Sequence, residues 1–468
     1  MEERAISSEH LKFLLSGKLL LRQEIPLDEI LFQKLLQQQI IRKAGSIVQK
    51  GFSNQCLRCG NKKTSLFATI PCGTCSKTHL YCRNCIAMGR VMECEPLYEW
   101  HGESVSWPNH LEPCTWQGQL TLVQEQAANR IIKAIRKEEK ELLVWAVCGA
   151  GKTEMLFPGI TAALESGLRI CIATPRADVV RELLPRLKKA FENVTVEALY
   201  GGSPTKAGTA QLILATTHQL LRFKQAFDVI IIDEVDAFPY HNDASLPFAA
   251  NRAKKKRCTT IYLTATPRRE HRKRIQQKKL EQVFVPIRFH GQPLPVPQKK
   301  ICFSLKKDLK KFLPPKEFFT WIPNRKNPAR QLLIFVPTIA LAENMHSIMR
   351  RYLVGMNFLK NEKEMAFVHA EDPNREEKVL LFREKKIQVL LTTTILERGV
   401  TFPSVDVAII DSGHKVFDEA ALVQIAGRAG RSPNDPKGEV LFFHDGKSDA
   451  MEEAILSIKQ MNRRGGFK

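Results

Sequence analysis

Three short stretches carry residue types suited to phosphate chemistry, and a fourth is suited to holding a metal. AVCGAGKTE, residues 146–154, grows out of the apolar run LLVWAV (142–147). A loop that ends a strand and opens a helix aims backbone N–H groups and the helix dipole at a phosphate. Ala146, Val147, Cys148, Gly149, Ala150 and Gly151 form that cradle, and the two glycines lack the Cβ that would hold the backbone away. Lys152 can reach the β- and γ-phosphates and Thr153 can offer its hydroxyl to Mg²⁺, so the pattern predicts ATP and Mg²⁺ as ligands. VIIIDEVD (229–236) ends a second apolar run in two carboxylates. Asp233 is placed to hold Mg²⁺, directly or through water, and Glu234 to orient and deprotonate the attacking water. QIAGRAGRS (424–432) sets Arg428 and Arg431 three apart, a spacing that puts both on one side of a helix. Guanidiniums brought to a bound nucleotide would neutralise charge developing on its γ-phosphate.

The fourth stretch, CLRCGNKKTSLFATIPCGTCSKTHLYCRNC (56–85), holds three CxxC pairs where a tetrahedral zinc site needs two. The first and second pairs leave 12 residues between them and the first and third leave 22, straddling the usual two-pair spacing. Spacing alone therefore leaves the choice open. Gly60, directly after Cys59, favours a turn that folds back on the first pair. No thioredoxin-like βαβ pattern surrounds these cysteines, which argues against a redox role.

These residues need elements to carry them. From about residue 119 short apolar runs alternate with helical segments: LLVWAV, RICIAT (169–174), QLILATT (211–217), DVIIID (228–233) and TIYLTAT (260–266). The same rhythm resumes in LLIFVPT (332–338), AFVHA (366–370), QVLLTTT (388–394), DVAIID (406–411) and EVLFFHD (439–445). Strands at this rhythm predict parallel sheets with covered faces. A basic, Pro-containing stretch from 267 to 330 interrupts them. The expected organisation is a helical lead-in (1–55), a Cys-rich module (56–95), a connector (96–118), an α/β domain (119–285), a linker (286–328) and a second α/β domain (329–468). Because the arginine pair lies in the second domain, hydrolysis would be coupled to domain movement.

The chain has 468 residues, of which 71 are Lys or Arg and 49 Asp or Glu, a net charge of +22. Such an excess points to an anionic partner, nucleic acid or an acidic membrane surface. RAKKKR (252–257) and PRREHRKRIQQKK (267–279) would suit a surface that tracks a phosphate backbone. The chain opens without the pattern of a secretory leader, and no apolar run approaches the roughly 20 residues needed to cross a bilayer. A cytoplasmic protein is expected, with its 12 cysteines as reduced thiols or metal ligands.

Taken together, the motifs resemble those of superfamily 2 helicases and translocases, over about 119–465. Ala146 in first place fits that superfamily's A-x-x-G-x-G-K-T form, LTLVQ (120–124) resembles its adenine-reading motif with Gln124 as reader, and ATPR, TAT, LIFVPT and TTILERGVTFPSVD follow in order. The resemblance implies an α/β fold: two tandem RecA-like parallel-sheet domains preceded by a small helical and zinc-binding N-terminal region. AVCGAGKTEM, ATTHQLLRFKQAFDVIIIDEVDAFPY, TTTILERGVTFP and a CxxC…YCRNC pattern are similar, more narrowly, to the ComFA family of late-competence DNA-uptake ATPases. That resemblance implies an ATP-driven motor on single-stranded transforming DNA. It also implies competence proteins at the uptake channel and DNA-processing factors as partners, with peripheral attachment at the inner face of the membrane. It points to Cys56, Cys59, Cys82 and Cys85 as the Zn²⁺ ligands, with Cys72 and Cys75 as the substitute pair. The alternatives are a general DNA or RNA helicase, such as a replication-restart enzyme, and a non-catalytic zinc-dependent nucleic-acid scaffold.

Overall fold

The computed structural model describes residues 8–51 and 53–467; residues 1–7 and Phe52 of the lead-in and the terminal Lys468 lie outside it. Its contacts divide the chain into two units, Met1–Val144 with Thr153–Phe284, and Trp145–Lys152 with Val285–Lys468.

The N-terminal part of the first unit has helices Ser8–Leu15 and Glu29–Gln37, the latter begun by Asp28, whose side chain accepts from Leu31 N at 2.8 Å. Strands are more numerous here than the helical spacing suggests. They are β1 (Leu19–Leu20), β2 (Ile41–Ala44), β3 (Ile47–Lys50), β4 (Ser53–Cys56), β5 (Phe67–Pro71), β6 (Thr78–Cys82), β7 (Val91–Met92) and β8 (Leu97–Trp100). They form three small sheets, β1-β8-β2, β3-β4 and β5-β6-β7. The lead-in thus closes its core against a sheet, with Leu11, Leu15, Phe32 and Leu35 packed beside Leu20 and Ile41.

A larger sheet follows, of β9 (Glu141–Ala146), β10 (Ile170–Thr174), β11 (Val196–Leu199), β12 (Leu212–Thr216), β13 (Phe227–Ile232), β14 (Lys254–Thr264) and β15 (Glu281–Val285). Their order is β11-β12-β10-β13-β14-β9-β15. The pairs β11–β12, β12–β10, β10–β13 and β13–β14 are parallel. Every residue of β10 and β12 is buried, as strands covered on both faces must be.

The second unit is built on β16 (Gln298–Ile301), β17 (Gln331–Phe335), β18 (Met365–Val368), β19 (Val389–Thr392), β20 (Val405–Ile410) and β21 (Val440–His444). Their order is β16-β21-β20-β17-β19-β18, and every pair is parallel. The stretch read as an interruption contributes to both sheets: β15 comes from it, and so does the edge strand β16. Cys302, Leu305, Phe318 and Trp321 from the same stretch are buried in the second core. Strand β16 escapes an apolar-run reading because it is QKKI, exposed along its whole length.

Candidate functional site

Strand β9 is buried at four of its six positions and half-buried at the other two, and it delivers the chain to a loop shaped by two glycines, Gly149 (φ +81°) and Gly151 (φ +72°). These left-handed conformations are costly for any residue with a Cβ. The helix Lys152–Glu165 begins immediately, so Lys152 and Thr153 stand half-buried in its first turn, at its positive end.

Within the second unit the loop is held by residues 285–289 and by the QIAGRAGR segment. Val147 N donates to Val285 O (3.1 Å) and Phe289 N to Gly149 O (3.0 Å). Cys148 Sγ donates to Gln424 Oε1 at 3.0 Å. A Cβ on Gly427 would stand 2.5 Å from Cys148 Cβ, so this close approach requires glycine. Arg288, 2 % exposed, ties the same parts together. Its guanidinium donates to Cys148 O (3.4 Å), Gly427 O (3.1 Å), Ala429 O (2.7 Å) and Gly430 O. Burial, and then the neighbouring Arg431, push its pKa down to about 10, so it stays charged at neutral pH. The sequence reading placed Arg288 in a linker and gave it no role; its partners are backbone carbonyls, which leave no trace in residue types.

The arginine pair is not on a helix. The helix Glu419–Ala426 stops at Gly427, and Arg428 and Arg431 lie in the turn that follows, which Gly430 (φ +62°) reverses. Arg428 is buried and donates to Glu397 O (3.1 Å), while Arg431 donates to Gly427 O (2.9 Å) and Thr401 Oγ1 (3.3 Å). Glu397 and Thr401 belong to TTILERGVTFP, so the two motifs of this unit brace each other.

In the first unit, β13 ends at Ile232 and leaves Asp233 and Glu234 half-buried at its C-terminal edge. Asp233 N donates to Ala173 O (2.8 Å) on β10, and Glu234 N to Asp233 Oδ1 (2.9 Å). Glu234 has φ +52°, so the chain turns sharply at the second carboxylate. Asp236, fully buried, accepts from Thr264 Oγ1 (2.5 Å) and Thr266 Oγ1 (2.6 Å) of the TAT segment. Its role was missed although both motifs were visible, because the sequence does not display the pairing. Gln124 is 5 % exposed, and its Oε1 accepts from Thr121 N (2.8 Å) in a capping box that starts the helix Leu122–Arg136. Several basic residues considered for a tracking surface have structural work. Arg252 donates to Leu57 O, Arg58 O, Leu221 O and Phe223 O, Arg268 to Asp236 O, and Lys255 pairs with Asp228.

Cys56 ends β4, Cys59 follows in its turn, Cys82 ends β6 and Cys85 sits in the next turn. The structure brings these four together, at most 1 % exposed, with all sulfurs within 4.8 Å of one another. Cys56–Cys85 and Cys59–Cys82 are 3.8 and 3.6 Å apart. A Zn–S bond of ~2.3 Å in a tetrahedron puts sulfurs about 3.8 Å apart, so the donor set fits zinc. Gly60 (φ +74°) folds the turn so that its N–H reaches Cys56 O at 2.8 Å. Hydrogen bonds from Cys56, Cys59 and Cys85 lower the pKa of the Cys82 thiol, and Asn61 Nδ2 lies 3.8 Å from its sulfur. The four sulfurs share a core with Phe227, Leu246, Ala249 and Ala250 of the large sheet and its helix Ser245–Ala253. Arg58, buried in the first turn, makes a two-point ion pair with Glu24 (2.7 and 2.8 Å). Cys72 and Cys75 are not part of this cluster; they lie with Cys94.

Comparison with known proteins places these features. The family model of the ComFA N-terminal domain matches residues 4–99, that of the type III restriction enzyme res subunit 117–269, and that of the helicase conserved C-terminal domain 308–433. The fold is similar to Saccharomyces cerevisiae Dbp5 bound to RNA and ADP BeF3, with a TM-score of 0.54 at 17% identity over 73% of this chain and 88% of that one. The chain is thus built on tandem RecA-like helicase domains and is an ATP-hydrolysing enzyme of the helicase type. It is 38% identical to competence protein ComFA of Streptococcus pneumoniae over 83% of this chain and 87% of that protein. It is 44% identical to competence protein ComFA of Bacillus subtilis over 99% of this chain and 97% of that protein, and it belongs to the ComFA family.

Proposed function

We propose that the protein is a DNA-stimulated ATPase that drives single-stranded transforming DNA into the cell during genetic competence. The observation that carries this reading is the similarity to two competence proteins, over 99% of this chain for one and 83% for the other, in a chain whose motor motifs have intact chemical groups. In this reading the 146–151 backbone cradles the ATP phosphates, Lys152 lies on the β- and γ-phosphates, and Gln124 reads the adenine. Mg²⁺, which Thr153 and Asp233 would hold, neutralises phosphate charge when bound. Glu234 orients and deprotonates the attacking water, and Arg428 and Arg431 stabilise the charge that builds on the transferred phosphoryl group. ATP engages the loop and the arginines together; hydrolysis releases them, and the motif movements advance the DNA. Cys56, Cys59, Cys82 and Cys85 hold Zn²⁺, which cross-links the N-terminal module.

The site of action we infer is the cytoplasmic face of the membrane, beside the uptake channel, with competence proteins and DNA-processing factors as partners. No helix of the described residues is long and apolar enough to cross a membrane, which fits a peripheral association. The test is the ATPase rate with single-stranded DNA, duplex DNA or RNA added. The proposal expects the largest stimulation from single-stranded DNA. Equal stimulation by RNA would refute it.

A further inference from the structure

Cys72, Cys75 and Cys94 lie outside the Cys₄ cluster, yet their sulfurs fall within 4.8 Å of one another. We propose that they form a second metal site, in which a Zn²⁺-type ion is held by the three thiolates of Cys72, Cys75 and Cys94 and keeps its fourth position for a solvent molecule. The topology of one small sheet assembles it. Strands β5 and β6 pair with Ile70 opposite His79 and Pro71 opposite Thr78, and the ladder continues through Cys72 N donating to Lys77 O (2.8 Å). The CGTC turn therefore caps this hairpin, with Ser76 N donating to Cys72 O (2.9 Å) and Ser76 in the left-handed region (φ +55°). On the other side, β6 pairs with β7 in a register that sets Tyr81 opposite Met92. Glu93 N continues that pairing by donating to Leu80 O (2.9 Å), and the next residue, Cys94, comes level with His79. Three separate segments thus converge on one end of one sheet.

The chemistry is that of a soft-ligand site. His79 Nε2 is 3.1 Å from Cys75 Sγ, a hydrogen-bond contact that orients this thiol from outside the cluster of three sulfurs. The other ring nitrogen, Nδ1, faces the Glu93 carboxylate at 3.8 Å. Backbone N–H groups of Cys75 and Thr74 donate to Cys72 Sγ, an arrangement that stabilises a thiolate ligand. Cys72 is buried, Cys94 partly buried and Cys75 exposed, so the site is at the surface and open to exchange. Bound metal would tie the tip of the β5–β6 hairpin to the chain leaving β7, where burial alone supplies little. The two sites would differ in donor set, four sulfurs inside and three outside.

Metal per chain in the full-length protein, purified with zinc present, tests this directly. Two equivalents are expected for the natural sequence and one for the double variant Cys72→Ser, Cys94→Ser, with the ATPase rate retained. One equivalent in the natural sequence, or two retained in the double variant, would overturn the proposal. Alkylation of the natural protein provides a check that needs no variant. Cys75 and Cys94 are expected to be protected when zinc is bound and to react once a chelator removes it; rapid reaction of exposed Cys75 in the zinc-loaded protein is the contrary result.

Discussion

Lys152 begins a helix at the end of a glycine-shaped loop, and a small side chain there would keep the fold while removing the only ammonium in the loop. Lys152→Ala should lower ATP turnover by about 100-fold or more, the scale of losing a principal charge stabiliser. Zinc content and the circular dichroism spectrum should not change. Arg288 makes a different kind of prediction. Its four carbonyl partners lose a charged donor in Arg288→Ala, which should cost about 3 kcal/mol in urea unfolding. Lys18 extends the argument to pH. Burial, then the neighbouring Arg169, lower its pKa to about 7, and its ammonium donates to Leu14 O and Ala207 O. The unfolded chain binds this proton up to its ordinary pKa and the folded chain gives it up earlier, so stability from this group rises between about pH 7 and 10.5. Lys18→Met should flatten that rise in thermal melts. At this scale the sequence was legible where one short motif contains the whole chemistry, as in GAGKT and DEVD. Arg288 and Lys18 were invisible because backbone carbonyls define them, all of Arg288's and one of Lys18's from distant segments.

Elements couple these residues. Asp236, just beyond β13, takes hydrogen bonds from both threonine hydroxyls of the segment that ends β14. Asp236→Ala strands those hydroxyls in a buried place and should cost about 2–4 kcal/mol in urea unfolding. The cysteine module is similarly bound into the large sheet, since its four sulfurs share one core with Phe227 and Leu246. Cys82→Ser should therefore lose the inner zinc and lower the thermal midpoint by about 10 °C. Sheet strands were legible wherever they were continuously apolar, as in β10 and β12. The exposed edge strand β16 was not, because edge strands satisfy their pairing without an apolar signature. The arginine pair was expected on a helix; glycines at 427 and 430 end that helix and turn the chain instead.

For the whole molecule, a net charge of +22 favours a polyanion held mostly through its phosphates. Much of the basic run at 252–257 is occupied at home, with Arg252 sealing carbonyls and Lys255 paired to Asp228. Charge that binds DNA must then come from a wider area than the two runs suggested. Sequence alone reached the two-domain motor, because paired phosphate and acidic motifs on parallel sheets are specific; it could not display which cysteines meet, since that depends on strand register. The central claim is movement along single-stranded DNA driven by ATP hydrolysis. The most direct measurement is ATP-dependent displacement of streptavidin from the biotinylated end of a single-stranded oligonucleotide. The account predicts displacement that requires ATP and is lost in Lys152→Ala and Glu234→Gln. Hydrolysis without any displacement, at a rate indifferent to DNA, would contradict it.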